Sequence, residues 1–111
     1  FTPHLSPMFR GILTTMYLET NNSINVDKII SCLKKFYKDS QFVKILKKGT
    51  LLSTNSVINT NECKISVINS KEKNRIIILS AIDNLIKGGA GQAVQNLNMI
   101  YNFKITEGLR W

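Results

Sequence analysis

The chain is poor in the residues on which most side-chain chemistry depends: one histidine, two cysteines, three arginines, two prolines and one tryptophan among 111 residues. With His4 alone, no multi-histidine metal site can form, and any cysteine–histidine pair has to use it. Cys32 and Cys63 are too few for the disulfide framework of a small secreted domain, so a reducing, cytoplasmic compartment is expected. A bridge between the two stays open. The longest apolar run, around residues 76–79, is far short of the about 20 residues that cross a bilayer, so no membrane association is expected. Seven acids are scattered with no spacing that resembles a glycosidase pair or a two-metal site. These residues therefore form no catalytic set and no metal site by themselves. No leader-like segment opens the chain. It starts at Phe1 inside sequence of structured character, which points to a piece of a longer protein.

What is abundant is isoleucine (15), asparagine (12) and lysine (12), giving a net charge of +8 and a pI near 9.7. A basic balance invites a nucleic-acid reading. The lysines are spread along the chain, as at Lys34–Lys35, Lys38, Lys47–Lys48, Lys71 and Lys73. Arginine, the side chain favoured for bidentate base and phosphate contacts, is scarce. Compositional drift of surface arginine to lysine accounts for the charge, and no nucleic-acid partner is expected, although a basic nucleic-acid-binding domain remains an alternative.

The pattern predicts an α+β domain. Residues 1–10 hold both prolines and read as loop. Period-two alternation predicts a strand over 11–19. A helix follows over about 25–38, with Asn25 as N-cap, Asp27 in the first turn, Ile24 and Ile29 as a hydrophobic staple, and Ile29, Leu33, Phe36 and Tyr37 as the buried stripe. Cys32, between Ile29 and Phe36, is expected to be a small buried residue. A short strand is predicted at 42–46 and irregular chain at 47–58. An antiparallel hairpin follows, of strands 64–69 and 75–83 joined by the polar loop 70–74. The consecutive apolar residues 76–79 predict a central strand covered on both faces. The last helix, from residue 89 or 90 to 102, has a broad apolar face of Ala90, Ala93, Val94, Leu97, Ile100 and Tyr101. Its uncharged outer face of Gln92, Gln95, Asn96 and Asn98 suits packing on another domain. The glycines at 88, 89 and 91 lie between a strand and this helix, where bare amides can receive an anion or a nucleotide edge, or where a helix start packs closely on backbone. They lack the spacing of the dinucleotide fingerprint.

Two long segments carry a specific likeness. Phe1-Thr2-Pro3-His4-Leu5-Ser6-Pro7-Met8-Phe9-Arg10-Gly11-Ile12-Leu13-Thr14-Thr15 closely resembles a signature of the N-acetyl-γ-glutamyl-phosphate reductases. So does Asp83-Asn84-Leu85-Ile86-Lys87-Gly88-Gly89-Ala90-Gly91-Gln92-Ala93-Val94-Gln95-Asn96. Between them Phe36-Tyr37, Phe42-Val43, Asn61 and Cys63 fall in the expected order, and Phe9 stands where Asn is common in that family. Aspartate-semialdehyde dehydrogenase is the sister reading, and the opening signature favours the arginine-pathway enzyme.

The resemblance implies the C-terminal part of a glyceraldehyde-phosphate-dehydrogenase-like catalytic and dimerisation domain, with a mixed, largely antiparallel sheet and covering helices. Residues 1–87 would belong to that domain, and 88–111 would be a closing helix and tail packed on a Rossmann domain. The family reduces N-acetyl-glutamyl phosphate to its semialdehyde with NADPH, through a cysteine thioester and hydride transfer. Its nucleophile lies in a Gly-Cys-Tyr-Pro segment and its assisting histidine in a His-Arg-His segment. Neither segment occurs here, so Cys32 and Cys63 inherit no role and the 111 residues alone are expected to be inactive. By the same resemblance His4 and Arg10 border the substrate pocket, while Asn84, Lys87 and Gly88 approach the nicotinamide of NADP. The implied partners are a small-molecule substrate and further copies of the chain, as a dimer or tetramer. A pure association module is the alternative.

Overall fold

The computed structural model describes residues 2–111; Phe1, the first residue of the expected opening loop, lies outside them. Four strands, β1 (Ile12–Glu19), β2 (Val43–Ile45), β3 (Cys63–Asn69) and β4 (Arg75–Ile82), form one sheet in the order β1-β4-β3-β2. β4 pairs antiparallel with both β1 and β3, while β2 runs parallel to β3. The β3–β4 connection is the predicted polar hairpin loop. The architecture is the expected α+β, with a mixed, largely antiparallel sheet.

The two faces of the sheet are covered by different means. Side chains alternate along a strand, so Ile65 and Val67 of β3, Ile76 and Ile78 of β4, and Ile45 of β2 share one face. Helix α1 (Val26–Phe36) closes that face with Val26 and Ile30, joined by the half-buried Ile29 and Leu33. Each fully buried aliphatic side chain contributes roughly 1.5–3 kcal/mol, so this cluster holds helix and sheet together. The helix begins as predicted: Asn25 Oδ1 accepts the Lys28 N–H at 2.9 Å.

The opposite face carries Lys64, Ser66 and Ala81, and the parallel β2–β3 pairing forces residues 46–62 to cross over it. Ser66 Oγ donates to the Thr50 carbonyl, and Lys64 Nζ to the Ser56 carbonyl at 2.6 Å. A single helical turn at Thr54–Ser56 interrupts this otherwise irregular stretch.

Three expectations change here: the cover of β4, the buried stripe of α1 and the burial of Cys32. β4 is central, but only Ile76 and Ala81 along it are buried, because the crossover covers just one end of its second face. In α1 the deepest positions are Val26 and Ile30, one residue off the predicted stripe; Phe36 is 78% exposed and Cys32 is exposed. β1 is exposed along all eight residues, since α1 reaches only to β4 and β1 is the sheet edge.

Helix α2 (Gly91–Ile100) follows β4 after a wide turn, and the tail after it folds back on the domain. Asn102 takes a left-handed φ of 55° past the helix end, Asn98 Nδ2 donates to the Ile105 and Glu107 carbonyls, and the Asn61 N–H donates to the Arg110 carbonyl. Among the described residues no helix is long and apolar enough to cross a membrane.

Candidate functional site

The register places Ile12, the first residue of β1, opposite Ile82, the last of β4. The chain entering β1 and the chain leaving β4 therefore meet at one end of the sheet, and residues 10–11 touch residues 83–84 across 73 positions of sequence.

Asp83 is the centre of this junction. Its buried carboxylate accepts Arg10 Nε at 3.0 Å on Oδ1 and 2.9 Å on Oδ2. Oδ1 also takes the N–H groups of Leu85 and Ile86 at 2.8 and 3.0 Å, and Oδ2 takes that of Asn59 at 2.8 Å. A buried carboxylate without partners would be costly. Burial by itself raises the Asp83 pKa, but the hydrogen bonds from Asn59, Ile86, Arg10 and Leu85 together outweigh it and hold the carboxyl below its usual value. Asp83 is thus ionised at neutral pH. Asn59 reaches it from a left-handed φ of 62°, a conformation Asn tolerates better than most residues.

Arg10 is 18% exposed and is gripped through Nε. Neither of its Nη groups donates to a protein acceptor among the described residues. That Nη pair is the planar fork suited to a carboxylate or phosphate. Next to it, Gly11 N–H donates to Asn84 Oδ1 at 2.8 Å, and Asn84 Nδ2 has no protein partner among the described residues. Gly11 has φ +111°, and a Cβ there would lie 2.7 Å from Thr54 Cβ, so no other residue fits.

The following turn, Ile86–Ala90, is wound more loosely than an α-helix. The N–H groups of Gly88 and Ala90 reach back five residues, to the carbonyls of Asp83 and Leu85, both at 2.9 Å. Gly89 breaks the helical conformation (φ −148°, ψ −112°), and a Cβ there would approach only the Asn84 carbonyl, at 3.4 Å. The backbone at 89 is therefore approachable from outside.

The remaining expected site residues lie apart from the junction. His4 sits on the exposed opening loop, its Nδ1 3.1 Å from the Thr2 carbonyl. Lys87 turns to a second cluster: Nζ donates to Gln95 Oε1 at 2.7 Å and lies 5.3 Å from the centre of the Phe42 ring. Burial lowers the Lys87 pKa, partly offset by attraction to Cys63. Gln95 Oε1 also accepts Nδ2 of the fully buried Asn61 at 2.9 Å. The structure thus unites Arg10, Gly11, Asp83, Asn84 and Gly88, and leaves His4 and Lys87 outside. Sequence reasoning passed over Asp83 and Asn59. An acid directly after an apolar strand, with Asn following, is the signal that would have marked the first.

Helix α2 inverts the predicted arrangement of its faces. Gly91 and Asn98 are buried and Gln95 half-buried, whereas Val94, Leu97, Ile100 and Tyr101 are exposed, Ile100 to 73%. Amides suit the inward side because the neighbours there are the Asn61 amide, the Lys87 ammonium and the tail carbonyls. The apolar stripe is left facing outward. At its start a cleft of about 310 Å³ opens between Ile86, Ala90, Val94 and the tail at Leu109–Arg110.

A family model described as semialdehyde dehydrogenase, dimerisation domain, matches residues 1–84. An N-acetyl-gamma-glutamyl-phosphate reductase from Clostridium botulinum (strain Alaska E43 / Type E3) is 48% identical over 109 residues, covering 98% of this chain and 32% of the relative. That of Desulforamulus reducens is 48% identical over 100 residues, covering 90% of this chain and 29% of the relative. The chain spans about a third of the length of these curated relatives. Among solved structures, an aspartate semialdehyde dehydrogenase II from Vibrio cholerae superposes with a TM-score of 0.66 at 18% identity, covering 86% of this chain and 28% of that one, a likeness of fold.

Proposed function

Because the chain belongs to the semialdehyde dehydrogenase dimerisation-domain family, we propose that it forms the C-terminal part of an NADPH-dependent N-acetyl-γ-glutamyl-phosphate reductase of arginine biosynthesis, acting in the cytoplasm. The carrying observation is the junction itself. Residues 10–11 and 83–84, which lie in the two segments that resemble those reductases, are clasped together, and among the described residues the Arg10 Nη fork and Asn84 Nδ2 have no protein partner.

In this reading Arg10 binds a carboxylate or phosphate of the substrate through its fork, and His4 borders the same pocket. Asn84, Lys87 and Gly88 form the cofactor side. Asn84 Nδ2 suits the carboxamide oxygen of a nicotinamide, and the open backbone at Gly89 permits close approach. Lys87 would reach the cofactor only by releasing Gln95. When bound, the nicotinamide supplies the hydride; these residues orient it and hold the substrate anion beside it. Residues 88–111 dock on the nucleotide-binding domain, and the exposed apolar stripe of α2 supports that surface. The nucleophile is expected outside these 111 residues, so the chain by itself turns over no substrate.

The direct assay is NADP-dependent, phosphate- or arsenate-driven oxidation of N-acetylglutamate semialdehyde by the reductase chain at the length of its relatives. Absence of turnover there, with activity on aspartate semialdehyde instead, would replace this reading with the sister one. The association role is supported by β1, whose free edge and exposed Leu13, Met16, Tyr17 and Leu18 offer a surface for a second copy. Light scattering of the chain reads it directly: a strict monomer at high concentration would mean that the contact needs residues beyond these 111.

A further inference from the structure

We propose that Asp83 is a positioning residue for the reductase reaction: it fixes Arg10 by Nε, so that the Nη fork is presented to a single anionic group of the substrate. The inference rests on the reductase reading and deepens it. Three observations carry it. The Asp83 carboxylate straddles Nε with both oxygens, at 3.0 and 2.9 Å, and makes no hydrogen bond to either Nη. The remaining acceptor capacity of the same carboxylate holds the turn after β4, through Leu85 and Ile86, and the crossover, through Asn59. The carboxylate is fully buried while the guanidinium reaches the surface. One side chain thereby ties the angle of the substrate-side arginine to the turn that carries Asn84 and Gly88. A carboxylate serving only to neutralise Arg10 would be expected to take the two-point fork, which is the strongest arginine–carboxylate geometry. Here that fork is kept back.

The test uses the reductase chain at the length of its relatives, carrying these 111 residues. Asp83→Asn keeps Oδ1 as the acceptor for Leu85, Ile86 and one contact of Arg10 Nε, but replaces Oδ2, which takes the Asn59 N–H and the other Nε contact, with an NH2 group that repels both donors. Misplacing a binding group by about an ångström costs on the order of 100-fold. Asp83→Asn should therefore lower kcat/KM for the acyl-phosphate substrate by about that factor, with the KM for NADPH changed by less than about threefold. In an Arg10→Ala background the same Asp83→Asn change should add less than about threefold, because the two residues act as one unit. Ethylguanidinium should rescue Arg10→Ala saturably when Asp83 is present and not when Asp83→Asn is added.

Equal factors for Asp83→Asn in both backgrounds, or a fall in Tm with an unchanged substrate KM, would overturn the proposal. Should Asp83→Asn fail to fold, the rescue of Arg10→Ala decides alone, and absence of saturable rescue overturns it. Absence of reductase turnover in the unsubstituted chain at the length of its relatives would instead overturn the reductase reading, which keeps the two failures distinct.

Discussion

Gly91→Ala sets two effects of opposite sign against each other. Gly91 opens α2 with ordinary helical angles, φ −65° and ψ −36°, and replacing glycine with alanine inside a helix is worth up to about 1 kcal/mol. By propensity alone the substitution stabilises. The surroundings reverse the sign. A Cβ at this position would lie 2.5 Å from Asn61 Oδ1 and 2.7 Å from both Cγ2 and the carbonyl oxygen of Ile86. Asn61 is fully buried and tied by Nδ2 to Gln95, so it has nowhere to retreat. The Ile86 oxygen is backbone, in the same turn that Asp83 anchors. Overpacking a site of this kind costs about 1–3 kcal/mol, and loss of the Asn61–Gln95 bond adds about 1 kcal/mol. The net expectation is a loss of about 2 kcal/mol, which at a urea m-value of about 1–3 kcal/mol/M lowers the midpoint by about 1 M. Urea unfolding of the 111-residue chain, followed by circular dichroism, measures it. Truncating Asn61 as well should recover only part of the loss, because the Ile86 carbonyl overlap remains. A midpoint that rises in Gly91→Ala would refute the packing argument.

Asp83 has a depressed pKa in the folded state, so the stability it confers is complete above the unfolded value near 3.8 and disappears as pH falls through the lower folded value. An acid titration monitored by circular dichroism should show that component in the wild type and lose it in Asp83→Asn. Asn98→Ala removes the donor to the Ile105 and Glu107 carbonyls and should cost about 2 kcal/mol while loosening the tail; amide hydrogen exchange confined to residues after α2 reads this, and unchanged protection there would count against it. Ile100→Lys, at an exposed position, should leave the unfolding free energy within about 0.5 kcal/mol of wild type. The same change should weaken association of the chain with the nucleotide-binding domain proposed above, supplied in trans and measured by calorimetry; an unaltered affinity would remove the α2 stripe from that proposed interface.

The sequence disclosed the strands, the hairpin and the start of α1, since these follow from local signals: alternation, a polar loop and an Asn N-cap. It disclosed less wherever the neighbours in space decide. The stripe of α1 lies one residue off the expected one because the sheet cluster of Val67 and Ile76 takes up Val26 and Ile30, with Ile29 and Leu33 at its margin, and leaves Phe36 outside it. The two faces of α2 were exchanged because hydrophobicity assigns apolar residues inward, whereas the pocket beneath this helix is lined by amides and carbonyls. At the site, Arg10 and Asn84 were visible through the likeness of their segments. Their meeting was not, because it depends on the β1–β4 register, a pairing of residues far apart in the chain. Lys87 carries no local mark showing that its ammonium turns toward Gln95 and Phe42.

Helix α2 is held from beneath by directional bonds and not by grease: Gln95 to Asn61 and Lys87, and Asn98 to the tail. An apolar contact lets a helix roll about its axis at small cost, whereas these bonds set its rotation. The outward row of Val94, Leu97, Ile100 and Tyr101 is therefore aimed before anything covers it. Much of the ordering cost that association ordinarily charges to an interface is already met inside the domain. A body that docks there meets a row of side chains at a fixed azimuth, and the angle between the two bodies is decided by three amides and an ammonium on the inward side of the helix.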